Sequence, residues 1–179
     1  MREKASDRIG RRNCMLILDE IGFAIVEMYV VMAVMAIIAS ISIPNITRFI
    51  YRMRVNNATN ALTSRLRLTR QRAITTMSNY VFDYNISQSS YWMFRDQNEN
   101  WNLDNGEEFF GAYDACRGHL DITFNSDNPL PHPVAFTPKG GVIGQNGSPV
   151  YGNFLFYNAR GDTGRITILP SGFIKSKQG

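Results

Sequence analysis

Between Phe23 and Ile43 the chain carries 21 residues of which only Glu27 is charged, and this run constrains the rest. As an α-helix rising about 1.5 Å per residue it is roughly 32 Å long, which matches a hydrocarbon core of about 30 Å. A secretory signal peptide would have a shorter apolar stretch followed by a small-residue cleavage site, and no Ala-x-Ala pattern follows here. Five basic residues precede the run (Arg2, Lys4, Arg8, Arg11, Arg12) and three follow it closely (Arg48, Arg52, Arg54). That asymmetry predicts a cytoplasmic N-terminus and a head on the other side of the membrane.

Glu27 does not belong in such a segment without a reason. A carboxylate inside an apolar helix costs about 2.5–3.5 kcal/mol on insertion scales, so it usually has a partner. The segment supplies none, because no Lys, Arg or His lies between Phe23 and Thr47. Two readings follow. The side chain reaches the headgroups from its place one turn into the run, or its partner belongs to another chain.

The order Gly22-Phe23-Ala24-Ile25-Val26-Glu27, then an apolar stretch, then Pro44, resembles the prepilin signature of type IV pilins and pseudopilins. The resemblance implies cleavage after Gly22 by a prepilin peptidase and N-methylation of Phe23. It also implies that the new ammonium pairs with the Glu27 of a neighbouring subunit, so that two charges costly in lipid neutralise each other. The surface of Val30, Val31, Met32, Val34 and Ile37 would then pack on other helices, and Pro44 would bend the helix where it leaves the membrane. Two features depart from the pattern: Ala24 stands where Thr is frequent, and Asp19-Glu20-Ile21 stands where leaders usually carry Lys or Arg. A start at Met15 instead of Met1 would give an eight-residue leader.

Beyond Pro44, Ile46, Phe49/Ile50, Met53, Ala58, Leu62, Leu66, Ala73 and Met77 recur at mostly three- and four-residue spacings, which predicts an amphipathic helix to about Ser78. Residues 46–78 hold seven arginines (48, 52, 54, 65, 67, 70, 72) and no acid. They fall off the apolar stripe and read as a solvated face with some contact to anionic headgroups. From Asn79 onward the pattern changes to strands. Tyr80–Ile86, Ser90–Phe94, Leu120–Phe124, Pro133–Thr137, Asn153–Tyr157 and Arg165–Leu169 are punctuated by Gly140-Gly141, Asn146-Gly147, Gly161-Asp162 and Pro170-Ser171-Gly172. Asn98–Gly111 reads as a polar surface excursion. Together these predict an α+β fold, a long N-terminal helix (transmembrane half plus amphipathic half) packed against a small antiparallel β head of one sheet or two.

The head resembles the GspH/FimT group in two places. One is Ala61–Val81, with Arg70 and Ala73-Ile74. The other is Val134-Ala135-Phe136-Thr137-Pro138-Lys139-Gly140-Gly141, Asn153–Tyr157, and Gly164 through Lys175. That group contains the H-type minor pseudopilin of type II secretion and the T/U-type minor pilins of type IV pili. The resemblance implies a structural subunit that joins other pilins or pseudopilins through its N-terminal helix. It would be inserted in the bacterial inner membrane with a periplasmic head, and then carried in a pilus or pseudopilus.

Four regions follow: a leader over 1–22, a membrane and polymerisation helix over 23–44, an amphipathic helix over 45–78, and a β head over 79–179. No enzyme is expected. His119 and His132 are the only histidines and lack metal spacing, and no Gly-x-Ser-x-Gly elbow or Gly-x-x-x-x-Gly-Lys loop is present. No cofactor is expected either. Cys14 would leave with the leader, so Cys116 would have no disulfide partner. Asp96, Asn98, Asn100, Asp104 and Glu107 match a calcium-loop spacing, but Trp101 stands where that loop needs glycine, and turn formation is the simpler reading.

Nucleic acid is not expected as a partner, since residues 81–179 carry seven basic and ten acidic groups. The candidate contacts for a DNA-uptake minor pilin are Arg160, Arg165, Lys175 and Lys177, and Phe173 occupies a slot where the group often has Arg. The alternative from another class is a single-pass anchored periplasmic binding protein in which Glu27 is incidental.

Overall fold

The computed structural model describes the backbone of residues 3–179 and the side chains of residues 25–43 and 45–179. The side chains of Gly22, Phe23 and Pro44 lie outside the described residues. Among the described residues one helix, α1 (Glu3–Thr76), is followed by nine strands: β1 (Asn79–Asn85), β2 (Ser90–Asp96), β3 (Phe109–Asp114), β4 (Ile122–Asn125), β5 (Val134–Phe136), β6 (Val142–Gly144), β7 (Gly152–Asn158), β8 (Thr163–Ile168) and β9 (Ile174–Gln178). The chain divides into two compact units, Met1–Arg48 and Phe49–Gly179.

In the second unit, α1 turns one narrow stripe to the core. Val55, Ala58, Leu62, Leu66 and Ala73 are fully buried, and Thr59, Thr63 and Thr69 lie buried among them. The threonines are tolerated there because each hydroxyl donates to the carbonyl four residues back: Thr59 to Val55 (2.8 Å), Thr63 to Thr59 (2.7 Å), Thr69 to Arg65 (2.8 Å). Phe49, Ile50 and Met53 belong to the predicted apolar series but are exposed, as is Met77. The helix ends two residues before the predicted Ser78. Met77 takes a left-handed conformation (φ 53°) and the Ser78 N–H bonds the Ala73 carbonyl at 3.3 Å, a Schellman closure built without the usual glycine.

Two antiparallel sheets complete the head, one ordered β3-β2-β1-β5-β6 and the other β4-β7-β8-β9. Alternation along β1 and β2 sends Tyr80, Phe82, Tyr84, Tyr91 and Met93 inward, where they meet Phe124, Phe154, Phe156, Ile166 and Ile168 of the second sheet in one core. Phe154 is the hinge of that contact, with its ring 5.0 Å from Tyr84, 5.8 Å from Phe82 and 5.5 Å from Phe124.

The outer face of the first sheet has its own small cluster. Val81, Phe94 and Ala135 are buried beneath Trp92, Trp101 and Ile143. Trp101 comes from the segment read as a polar surface excursion, so that loop folds back over the sheet. Its last residues also enter β3, a strand hidden from pattern reading because Gly111 (φ 92°) and a register shift opposite Trp92/Phe94 break its alternation.

Candidate functional site

In the anchor unit the polar side chains near the end of the apolar run satisfy themselves within the helix. Ser40 donates to the Ile37 carbonyl at 2.7 Å, Ser42 to Ile38 at 2.9 Å, and Asn45 to Ile41 at 3.3 Å. Glu27 accepts no hydrogen bond and has no ion-pair partner among the described residues, and its carboxylate stands on a helix surface exposed on all sides. Val30, Val31, Met32, Val34 and Ile37 are each at least half exposed. α1 contains a stretch long and apolar enough to cross a membrane.

The helix arginines do not form a free basic face. Two grip β3: the Arg65 guanidinium lies 4.4 Å from the Tyr113 ring centroid, and Arg72 lies 4.1 Å from Phe110 while bonding Glu108 at 3.3 Å. Two grip the opposite flank. Arg67 donates to the Ile174 carbonyl at 3.4 Å, and Arg70 donates to the Gly140 carbonyl at 2.9 Å and the Ser171 carbonyl at 3.4 Å. Arg54 pairs with Asp121 at 3.1 Å. The helix therefore lies between the β3 edge and the β9 edge, pinned on both sides by arginine.

The Arg70 contact explains the glycines around it. Gly140 (φ 80°) and Gly172 (φ 73°) both use the left-handed region, and a Cβ on Gly172 would sit 1.8 Å from the Gly140 oxygen and 2.7 Å from Arg70 Nε. Gly164 serves the helix similarly, since a Cβ there would meet Thr59 Oγ1 at 2.0 Å. Gly140 and Gly172 were legible as turns in sequence, whereas Gly164 lies within β8. That they make room for one arginine and one threonine was not legible, because the partners are 70 residues or more away.

Of the candidate DNA contacts, three come together and one does not. Strand pairing sets Arg165 opposite Lys177 and Thr167 opposite Lys175, on the outer face of the second sheet. Arg165 is held there by Asp127 at 2.6 Å. Arg160 is elsewhere, in the β7–β8 turn, stacked 4.1 Å from the Tyr51 ring. The candidate calcium residues do share one loop, and their groups are used within it. Asp96 accepts from the Asn100 and Trp101 N–H groups at 3.3 and 3.1 Å, Asn98 and Asn100 donate to Asp104 at 2.8 and 2.6 Å, and Glu107 accepts from Gln97 at 2.9 Å. Among the described residues no cluster of three His, Cys, Asp or Glu is arranged to hold a metal.

His132 sits 3.4 Å from Asp83 beside an open groove lined by Trp92, Pro129 and Pro131. Cys116 is buried, and that burial pushes its thiol pKa up, against an opposing hydrogen bond from Ser89.

A family model described as type II transport protein GspH matches residues 58–172. No curated protein matches the chain. Among solved structures, the minor pseudopilin EpsH from the type 2 secretion system of Vibrio cholerae superposes with a TM-score of 0.52 at 10% identity, covering 70% of this chain and 97% of that one. The type IV minor pilin FimU of Pseudomonas aeruginosa superposes with a TM-score of 0.54 at 15% identity, covering 72% of this chain and 92% of that one. At such identities the likeness shows a shared pilin-like fold. The family match, which spans more than half of the sequence, shows more: the chain belongs to the GspH family.

Proposed function

We propose that this protein is a minor pilin or pseudopilin. It is a structural, non-catalytic subunit of a type II secretion pseudopilus or a type IV pilus, cut between Gly22 and Phe23 and assembled through its N-terminal helix. The observation that carries this reading is Glu27, whose carboxylate has no partner among the described residues although Ser40 and Ser42, at the other end of the apolar run, each find one within the helix. An unpaired carboxylate in lipid asks for a cation from another molecule, and the ammonium created at Phe23 of a neighbouring subunit is such a cation. Prepilin peptidase, other pilins and the bacterial inner membrane are the partners this reading requires.

Glu27→Val tests it. The variant makes the helix more apolar, so it reaches the membrane normally, and it fails to co-purify with partner pilins. Wild-type recovery of partners with Glu27→Val would sink the charge-pairing mechanism and favour the anchored binding protein. The DNA-uptake reading has less support, since it calls for free cations on the last strands and Arg165 is engaged by Asp127.

A further inference from the structure

Three elements meet at the end of the head where the chain arrives from the apolar segment. They are the helical turn carrying Tyr51 and Arg54, the β3–β4 turn, and the β7–β8 turn. Arg54 joins the first to the second through Asp121, and the Arg160 and Arg54 guanidinium groups lie 4.1 and 5.2 Å from the centroid of the same Tyr51 ring. Pairing of Ile122 with Asn158 sets the two turns side by side.

Leu120 projects from this end, with a relative exposure of 103%, the highest of any large apolar side chain among the described residues. Its turn is firmly built. Asp114 accepts from the Cys116 and Gly118 N–H groups at 2.8 and 2.5 Å, and His119 N–H bonds the Cys116 carbonyl at 3.1 Å. Leucine is thus held out into solvent by its surroundings. Arg117 in the same turn and Arg160 are exposed, and neither reaches a carboxylate among the described residues. Phe49, Ile50, Arg52 and Met53 of the same stretch of helix are also exposed. Of the acids here Asp121 is ion-paired with Arg54, while Asp114 and Asp162 keep their charge and accept hydrogen bonds from their own turns, so Arg52, Arg54, Arg117 and Arg160 outnumber the three carboxylates by one.

An apolar tip, an aromatic ring and surplus guanidinium groups together form the chemistry that recognises the surface of an anionic bilayer. We propose that this end of the head docks on anionic phospholipid headgroups, with Leu120 entering the headgroup–acyl boundary and Arg117 and Arg160 on lipid phosphates. The inference rests on the reading of Phe23–Ile43 as a membrane span. Chain length permits it, since only eight residues of chain lead from Ile43 to Tyr51. Docking would hold the free subunit against the membrane before assembly.

The test uses the full chain with Cys14 and Cys116 replaced by serine, in nanodiscs of phosphatidylcholine alone or with phosphatidylglycerol added. A nitroxide is placed at Ile37→Cys or Leu120→Cys, and its collisions with oxygen and with a water-soluble nickel chelate are compared. The label at 37 is expected in lipid in both discs. The label at 120 is expected to become oxygen-accessible only with phosphatidylglycerol, and Arg117→Gln or Arg160→Gln should each lower the docked-to-free ratio about five-fold. A label at 120 that stays in water while 37 is in lipid overturns the docking, and equal contact without phosphatidylglycerol overturns its electrostatic basis. Shielding of 120 from both reagents would mark a protein contact and overturn the lipid assignment. A label at 37 in water would instead refute the span on which the docking rests.

Discussion

A methyl group at position 172 has nowhere to go, because Gly172 is left-handed and its missing Cβ would collide with the Gly140 carbonyl that Arg70 holds. Gly172→Ala should therefore destabilise the head by about 3–5 kcal/mol. Gly161→Ala is the control: it is equally left-handed (φ 89°) but nothing lies within 4 Å of its Cβ position, so about 1 kcal/mol is expected. Urea unfolding of both variants checks the difference. Two buried phenols set a second residue-scale expectation. Burial pushes Tyr84 up to about 12, helped by the Asp83 charge, and burial pushes Tyr91 up to about 12 against the Arg65 charge. Both are raised above the ordinary value of 10.0, so the unfolded chain ionises first. Their contribution to stability is complete below pH 10 and is lost as pH rises toward about 12. Absorbance titration at 295 nm together with unfolding midpoints over that window tests it. Tyr84 and Tyr91 should titrate late, and the midpoint should fall as they do.

At the scale of elements, α1 shows where pattern reading works and where it stops. Its apolar period gave Ala58, Leu62, Leu66 and Ala73 correctly, since burial along a helix repeats every three to four residues. The same period carried on through Phe49 and Met53, which face outward, because apolarity cannot distinguish a side chain buried in the head from one left on the surface. The arginines read as solvated, yet five of seven bond or stack on the head, and their partners (Asp121, Tyr113, Ile174, Gly140, Phe110) come from distant strands and turns. Short β6 and lysine-bearing β9 carry too little β signal to be marked by composition, though both pair fully in register. If the helix is held mainly by its buried stripe and clamped by arginine, Leu62→Ala should cost about 2–5 kcal/mol. Arg65→Ala, which loses a stacked cation, should cost about 0.5–1 kcal/mol. Chemical denaturation of the two variants ranks the effects, and the reverse order would contradict this division.

For the molecule as a whole, the long N-terminal helix and the antiparallel β head were legible from sequence because they rest on strong signals: a 21-residue apolar run and a change of periodicity at Asn79. Whether the head holds one sheet or two stayed open in the sequence, since sheet order depends on pairings such as β1 with β5 that no local pattern encodes. On the proposed function, what the apolar segment does depends on residues whose partners lie in another subunit, and the N-terminus is where that dependence can be read. Mass spectrometry of the chain recovered from its native membranes measures it directly. The account predicts a mature chain beginning at N-methylated Phe23, with Glu27 as its fifth residue. A chain still beginning at Met1 or Met15 would contradict it.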